Sequence, residues 1–147
     1  MAERIVVGYD DKEPAKRALE RAIEEAKARK AVIVVVSVVV MPLNPEGPQN
    51  FGSLDDTPAR MIPLVLPPEL EPVIAHARER IEAEGVRSDF YWAAGDPAAT
   101  IVDVAREQNA SLVVLGEHHH SVFGRVFGTD VAAEVKRRLG ADLVVVD

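Results

Sequence analysis

The sequence predicts an α/β fold, a doubly wound five-stranded parallel sheet with helices on both faces. Five short runs rich in β-branched and aromatic residues recur along the chain, and helical periodicities separate them. The runs are too continuously apolar for a half-solvated antiparallel sheet, so helices should cover both faces. The 147 residues, 48% of them hydrophobic, suffice for one domain spanning residues 1–147 with its own core.

The first strand is read at Ile5-Val6-Val7. The first helix has Pro14 in its first turn, a stripe of Ala15, Ala18, Leu19, Ala22, Ile23 and Ala26, and Lys27, Arg29 and Lys30 at its C-terminal end, where cations complement the helix dipole. The second strand is Val32 to Val40. Eight of the ten prolines then fall between Pro42 and Pro72, with Gly47, Asn50, Gly52, Asp55 and Asp56 among them, so an irregular excursion is expected at about residues 42–68. A connection of that length is either a flap over a site or a mobile loop.

The second helix is expected from Glu69 to about Glu84, with Leu70, Val73, Ile74, Ala77 and Ile81 inward and Gly85 as its stop. Phe90-Tyr91-Trp92 forms the third strand. Asp96-Pro97 opens the third helix as a capping residue followed by a first-turn proline, and Ala98, Ile101, Val102 and Ala105 face inward. Leu112 to Leu115 is the fourth strand; a fourth helix from about Thr129 to Leu139 ends at Gly140, and Leu143 to Val146 is the fifth strand. In such folds ligands lie outside the carboxyl ends of the strands, which directs attention to the loops beginning at Tyr9, Val40, Ala93 and Gly116.

Composition narrows the chemistry. The chain has no cysteine, which removes thiol catalysis, cysteine-ligated zinc and iron–sulfur clusters. With 17 Lys and Arg against 24 Asp and Glu, the net charge of −7 argues against nucleic acid or an anionic membrane as the main partner. Ile5 to Tyr9 is too short to be the apolar core of a secretory signal, so a cytoplasmic protein is expected. The longest apolar run, Ala31 to Met41, falls well short of the ~20 residues of a membrane span and reads as a buried strand.

The segment Gly116 to Thr129 joins a buried strand to a helix and contains Gly124, Arg125, Gly128 and Thr129. Glycine beside a hydroxyl residue at a helix start can form an anion site for phosphate. The same residues also suit a strand end and a helix N-cap, and residue types alone leave both readings open.

Several motifs in order then carry a resemblance. Ile5-Val6-Val7-Gly8-Tyr9-Asp10 ahead of a helix, Gly95-Asp96-Pro97-Ala98, Ala110-Ser111-Leu112-Val113-Val114-Leu115-Gly116, Gly128-Thr129 and Asp142-Leu143-Val144-Val145-Val146 together resemble the universal stress protein family over nearly the whole chain. The resemblance implies a Rossmann-like sheet with strand order 3-2-1-4-5. It also implies a stress-response domain with an adenine-nucleotide crevice, for ATP or AMP with Mg2+, between the loops after strands one and four. Nucleotide-binding members carry Gly-x2-Gly-x9-Gly-Ser/Thr. Here Gly116 matches the first glycine and Gly128-Thr129 the last pair, while His119 replaces the middle glycine and only His120 to Phe127 separate it from Gly128. A histidine side chain restricts backbone approach to phosphate, and carboxylates at Glu117 and Asp130 repel it, with Arg125 as a partial counterweight.

The crevice implied by the resemblance comprises Gly8, Tyr9, Asp10, Val38, Gly116, Arg125, Gly128 and Thr129, with Asp10 near base and ribose and the Val38 backbone facing adenine. Asp10 and Asp11 are also natural caps for the first helix. The other branch of the family, the A type, lacks the full glycine pattern and acts as a dimeric interaction module without nucleotide; that alternative remains open. Either branch suggests a homodimer through Leu143 to Val146, an apolar strand that needs cover at a sheet edge.

Other chemistries fit poorly. Three adjacent histidines, His118 to His120, cannot easily converge on one ion, so no metal site is expected, and His76 on the second helix should point outward. No aspartate ends the third strand as a phospho-receiver domain requires. Neither Ser37 nor Ser121 sits in a nucleophile elbow. No Walker lysine follows the glycines, so catalysis is expected to be absent or limited to slow ATP hydrolysis.

Overall fold

The computed structural model describes residues 2–39, 60–61, 66–117 and 131–146. Its elements are β1 (Arg4–Gly8), α1 (Glu13–Arg29), β2 (Val32–Val39), β3 (Arg60–Met61), a 3-10 turn (Pro68–Leu70), α2 (Glu71–Ala83), β4 (Ser88–Gly95), α3 (Pro97–Glu107), β5 (Leu112–Gly116), α4 (Val131–Arg138) and β6 (Asp142–Val146). They form a six-stranded sheet of order β3-β4-β2-β1-β5-β6. The five long strands are mutually parallel, with Val6 opposite Val34 on one side and Val113 on the other. Counted without β3, their order is 3-2-1-4-5, as expected.

Strand alternation sends side chains to two separate cores. Ile5, Val7, Ile33, Val35, Leu112 and Val114 pack with α1 and with Ala77 and Ile81 of α2. Val6, Val34, Val36, Val113 and Leu115 pack with α3 and α4 on the opposite face. Both faces of the central strands β1, β2 and β5 are therefore dry, which explains their continuous apolar runs. The inward stripe of α1 is mostly alanine, which allows a close approach to the sheet.

Three elements differ from the sequence expectation. The excursion expected to be irregular over 42–68 contains β3, a two-residue strand antiparallel to β4 with Arg60 opposite Gly95 and Met61 opposite Ala94. β4 extends well beyond Phe90 to Trp92, because Ser88 to Ala94 pair along β2 from Ile33 to Val39. The loop expected to begin at Ala93 thus starts after Gly95. The third is α2, where Glu69 and Leu70 belong to the 3-10 turn. Pro72 has no N–H to donate back to residue 68, so the α-helical ladder cannot extend through it.

Asp96 caps α3 as expected, its side chain accepting the Ala99 N–H at 3.0 Å. Gly85, at φ 70°, follows α2 and donates to the Glu82 carbonyl at 3.0 Å. The start expected for α4 at Thr129 lies outside the described residues, as do His118 to His120 and Asp130. Among the described residues no helix is long and apolar enough to cross a membrane.

Candidate functional site

β1 and β5 are adjacent, but their following helices lie on opposite faces of the sheet, α1 on one and α4 on the other. Such a switch point leaves a crevice at the carboxyl ends of the strands. Here its floor is Gly8, Tyr9 and Asp10 after β1, Val36 and Val38 of β2, and Leu115 and Gly116 of β5. Pro97 and Ile101 of α3 and Val131 and Ala132 of α4 form its walls. It is a recess of about 70 Å³, open to solvent.

Five sequence-identified residues therefore converge: Gly8, Tyr9, Asp10, Val38 and Gly116. Arg125, Gly128 and Thr129 lie outside the described residues. Pro97, Ile101, Val131 and Ala132 were missed as site residues. They read as helix-stripe or capping positions, and only the tertiary arrangement turns them toward the crevice.

The turn after β1 is held from several directions. The Tyr9 N–H donates to the Val36 carbonyl at 2.9 Å, and the buried Ser37 hydroxyl donates to the Tyr9 carbonyl at 2.8 Å. Asp10 accepts the Lys12 N–H at Oδ1, 3.1 Å away. The N-cap position of α1 is Lys12, which makes no side-chain cap bond. Asp11 is not the helix cap that its residue type suggested. It adopts the left-handed conformation, φ 68°, accepts the Tyr9 hydroxyl at 2.8 Å through Oδ1, and meets His76 Nδ1 at 2.7 Å through Oδ2.

These contacts fix two charge states. Burial pushes the Tyr9 phenol upward, and the hydrogen bond and negative charge of Asp11, with Asp10 and Glu13 beyond, push it further. Tyr9 is thus a neutral donor. Burial also raises Asp11, but hydrogen bonds from Tyr9 and His76 and the charges of His76 and Lys16 outweigh it, so Asp11 titrates below its ordinary value. His76 is largely exposed as expected, with 56% of its side chain accessible, yet it is engaged with Asp11. Nothing local in the sequence signals a contact spanning 65 positions.

The two described glycines of the crevice have packing reasons to be glycine. A Cβ on Gly8 would lie 2.9 Å from Leu115 Cδ2 and 3.2 Å from Ile101 Cδ1. A Cβ on Gly116 would lie 2.4 Å from both the carbonyl carbon and oxygen of Pro14, and 2.8 Å from the Ala15 nitrogen. The first turn of α1 rests directly on Gly116. Among the described residues, no cluster of three metal-ligating side chains occurs. The described crevice lining holds one carboxylate, Asp10, and no cation; the rest is apolar or backbone. It can receive a flat apolar ring against Val36, Val38 and Ile101, and hydroxyl donors at Asp10.

Comparison with known proteins agrees with this architecture. The chain is 26% identical over 162 aligned positions to stress response protein NhaX of Bacillus subtilis strain 168, covering 99% of this chain and 98% of the relative. A universal stress protein structure from Archaeoglobus fulgidus superposes with TM-score 0.69 at 26% identity, with 100% of each chain covered. A universal stress protein crystallised in complex with cAMP superposes with TM-score 0.68 at 23% identity, covering 99% of this chain and 96% of the other. The model of the universal stress protein family matches residues 1–147, and the chain belongs to that family.

Proposed function

We propose that this stress-response domain binds an adenine nucleotide, ATP or AMP, in the crevice between the loops after β1 and β5. The observation that carries the reading is Asp10, oriented by the Lys12 N–H at the mouth of an apolar recess at the sheet's switch point. A carboxylate there suits ribose hydroxyls, and Val36, Val38 and Ile101 suit a base. The structurally similar protein crystallised with cAMP supports the same ligand class. Phosphates, with Mg2+, fall to Gly128-Thr129, which match the family's last glycine pair, and to Arg125 by its charge; all three lie outside the described residues. The proposed setting is the cytoplasm, with the chain acting as one domain over residues 1–147.

Calorimetric titration with ATP and AMP, with and without Mg2+, tests the reading. One site per chain is expected, with affinity reduced in the double variant Gly128→Val, Thr129→Val. Undiminished ATP affinity in that variant would remove the phosphate assignment.

A second reading, a dimeric interaction module without nucleotide, is favoured by two observations. The described crevice lining offers no cation, and Gly116 is explained by contact with Pro14. Both readings include a homodimer through β6, whose Val145 is 42% exposed on a strand that, among the described residues, pairs only with β5. Nucleotide retained through purification would exclude the second reading, and a monomer by light scattering at micromolar concentration would exclude the homodimer.

A further inference from the structure

Tyr9 borders two recesses. One is the crevice; the other is a polar recess between α1 and α2 that also contains Asp11 and His76. We propose that Tyr9, Asp11 and His76 form a proton-operated latch, in which His76, acting through Asp11, ties the β1–α1 turn to α2 and so positions the Asp10 carboxylate at the crevice.

The geometry is a continuous chain. The Tyr9 side chain is anchored in the core at 5% exposure, its hydroxyl donates to Oδ1 of Asp11, and Oδ2 of Asp11 meets His76 Nδ1. One carboxylate thus joins a buried phenol to an exposed imidazole. Asp11 holds a left-handed backbone, which residues with a Cβ adopt at a cost, and its hydrogen bonds to Tyr9 and His76 help to hold it there. The residue it flanks, Asp10, is the charged group of the described crevice lining.

The imidazole makes the latch responsive to pH. A neutral ring can donate from Nδ1 in only one of its two tautomers, whereas the protonated ring donates from both nitrogens and carries a charge. The ionised Asp11 makes the contact charge-assisted in both states of the ring, and protonation adds the attraction of an ion pair. Asp11 stays ionised through this range because its carboxyl titrates below its ordinary value. Protonation of the ring therefore tightens the latch, and protonation of Asp11 breaks it.

The other charged groups of the recess come from α1 and α2. Glu13, Lys16, Arg17 and Glu20 line it from α1, and Arg80 lines it from α2. Arg80 is held by both carboxylate oxygens of Glu20, and Lys16 lies 3.8 Å from Glu13. Asp11 is the carboxylate in hydrogen-bond contact with the ring.

The latch does not depend on a ligand, whereas its effect on ligand affinity rests on the nucleotide reading above. The test is amide hydrogen exchange at Lys12 in the full chain, at pH 8 and pH 5.5, with intrinsic exchange rates divided out. In the unmodified protein, protection should rise about threefold on acidification, the scale of a strengthened exposed contact. In His76→Gln, which keeps His118 to His120 but cannot take up a proton at position 76, protection should not change. Equal pH profiles in both proteins would overturn the latch.

A parallel arm titrates cAMP, whose phosphodiester and base keep one charge state across this range. Its affinity should rise about threefold on acidification in the unmodified protein and stay level in His76→Gln. The same rise in both would overturn the positioning of Asp10. No cAMP binding at either pH would count against the nucleotide reading, while the exchange arm would still decide the latch.

Discussion

The Cβ that Gly116 lacks would lie 2.4 Å from the carbonyl carbon and oxygen of Pro14. The end of β5 and the first turn of α1 are therefore in backbone contact, and α1 cannot withdraw without loosening its alanine stripe from the sheet. Gly116→Ala should destabilise the fold by about 2 kcal/mol or more, the scale of forced overpacking. Gly140→Ala is the matched control, because a Cβ there meets nothing within 4 Å, and it should stay within about 0.5 kcal/mol. Urea unfolding of the two variants checks the contrast; equal midpoints would contradict it.

The cap of α3 gives a second, smaller effect. Asp96 accepts the Ala99 N–H, so Asp96→Ala leaves that donor without its side-chain partner and should cost about 1 kcal/mol. Asp96→Asn, which retains an acceptor oxygen, should recover most of it. Thermal melts at neutral pH would show the ranking, and an alanine variant as stable as the parent would refute the cap's contribution.

The turn after β1 should shape both limbs of the pH–stability curve. Tyr9 is held above its ordinary value, so its contribution is full below about pH 10 and is lost as pH rises toward the folded value. Asp11 is held below its ordinary value, so its contribution is present above about pH 4 and is lost as pH falls through the folded value. Tyr9→Phe should flatten the alkaline limb and Asp11→Asn the acid limb. Curves parallel to the parent's across both limbs would contradict these assignments.

β6 offers a test of assembly. Val145 is exposed on an edge strand, and edges of this kind are commonly covered by a partner or guarded by charge. Val145→Lys should convert the proposed homodimer to a monomer at micromolar concentration by light scattering while leaving the fold intact by circular dichroism. An unchanged mass would remove β6 as the pairing surface.

Much of this fold was legible in the sequence because burial on both sheet faces writes itself as continuous β-branched runs, as at Val32 to Val36. The Asp96-Pro97 cap was legible for a local reason, since both halves of the signal are adjacent. β3 was not, because a two-residue strand has no periodicity and exists only through its pairing with Ala94 and Gly95. The full length of β4 was hidden because Ser88 and Asp89 carry no strand signal of their own and are held by pairing with Ile33 and Val34. At the candidate site, Asp10 and Val38 were legible only through the family resemblance, since each residue type also suits a helix cap or a core strand. Ile101 looked like ordinary core, and the Asp11–His76 contact joins residues with no local relation. Gly116 was found for a phosphate reason, yet its packing against Pro14 already requires glycine.

The most direct test of nucleotide binding at this crevice is calorimetric titration of AMP into the unmodified protein and into Asp10→Ala, side by side. The account expects one site per chain in the first and affinity at least about tenfold weaker in the second, equivalent to about 1.4 kcal/mol for a lost charged contact. Absence of binding to the unmodified protein, with or without Mg2+, or equal affinity in the two proteins, would contradict it.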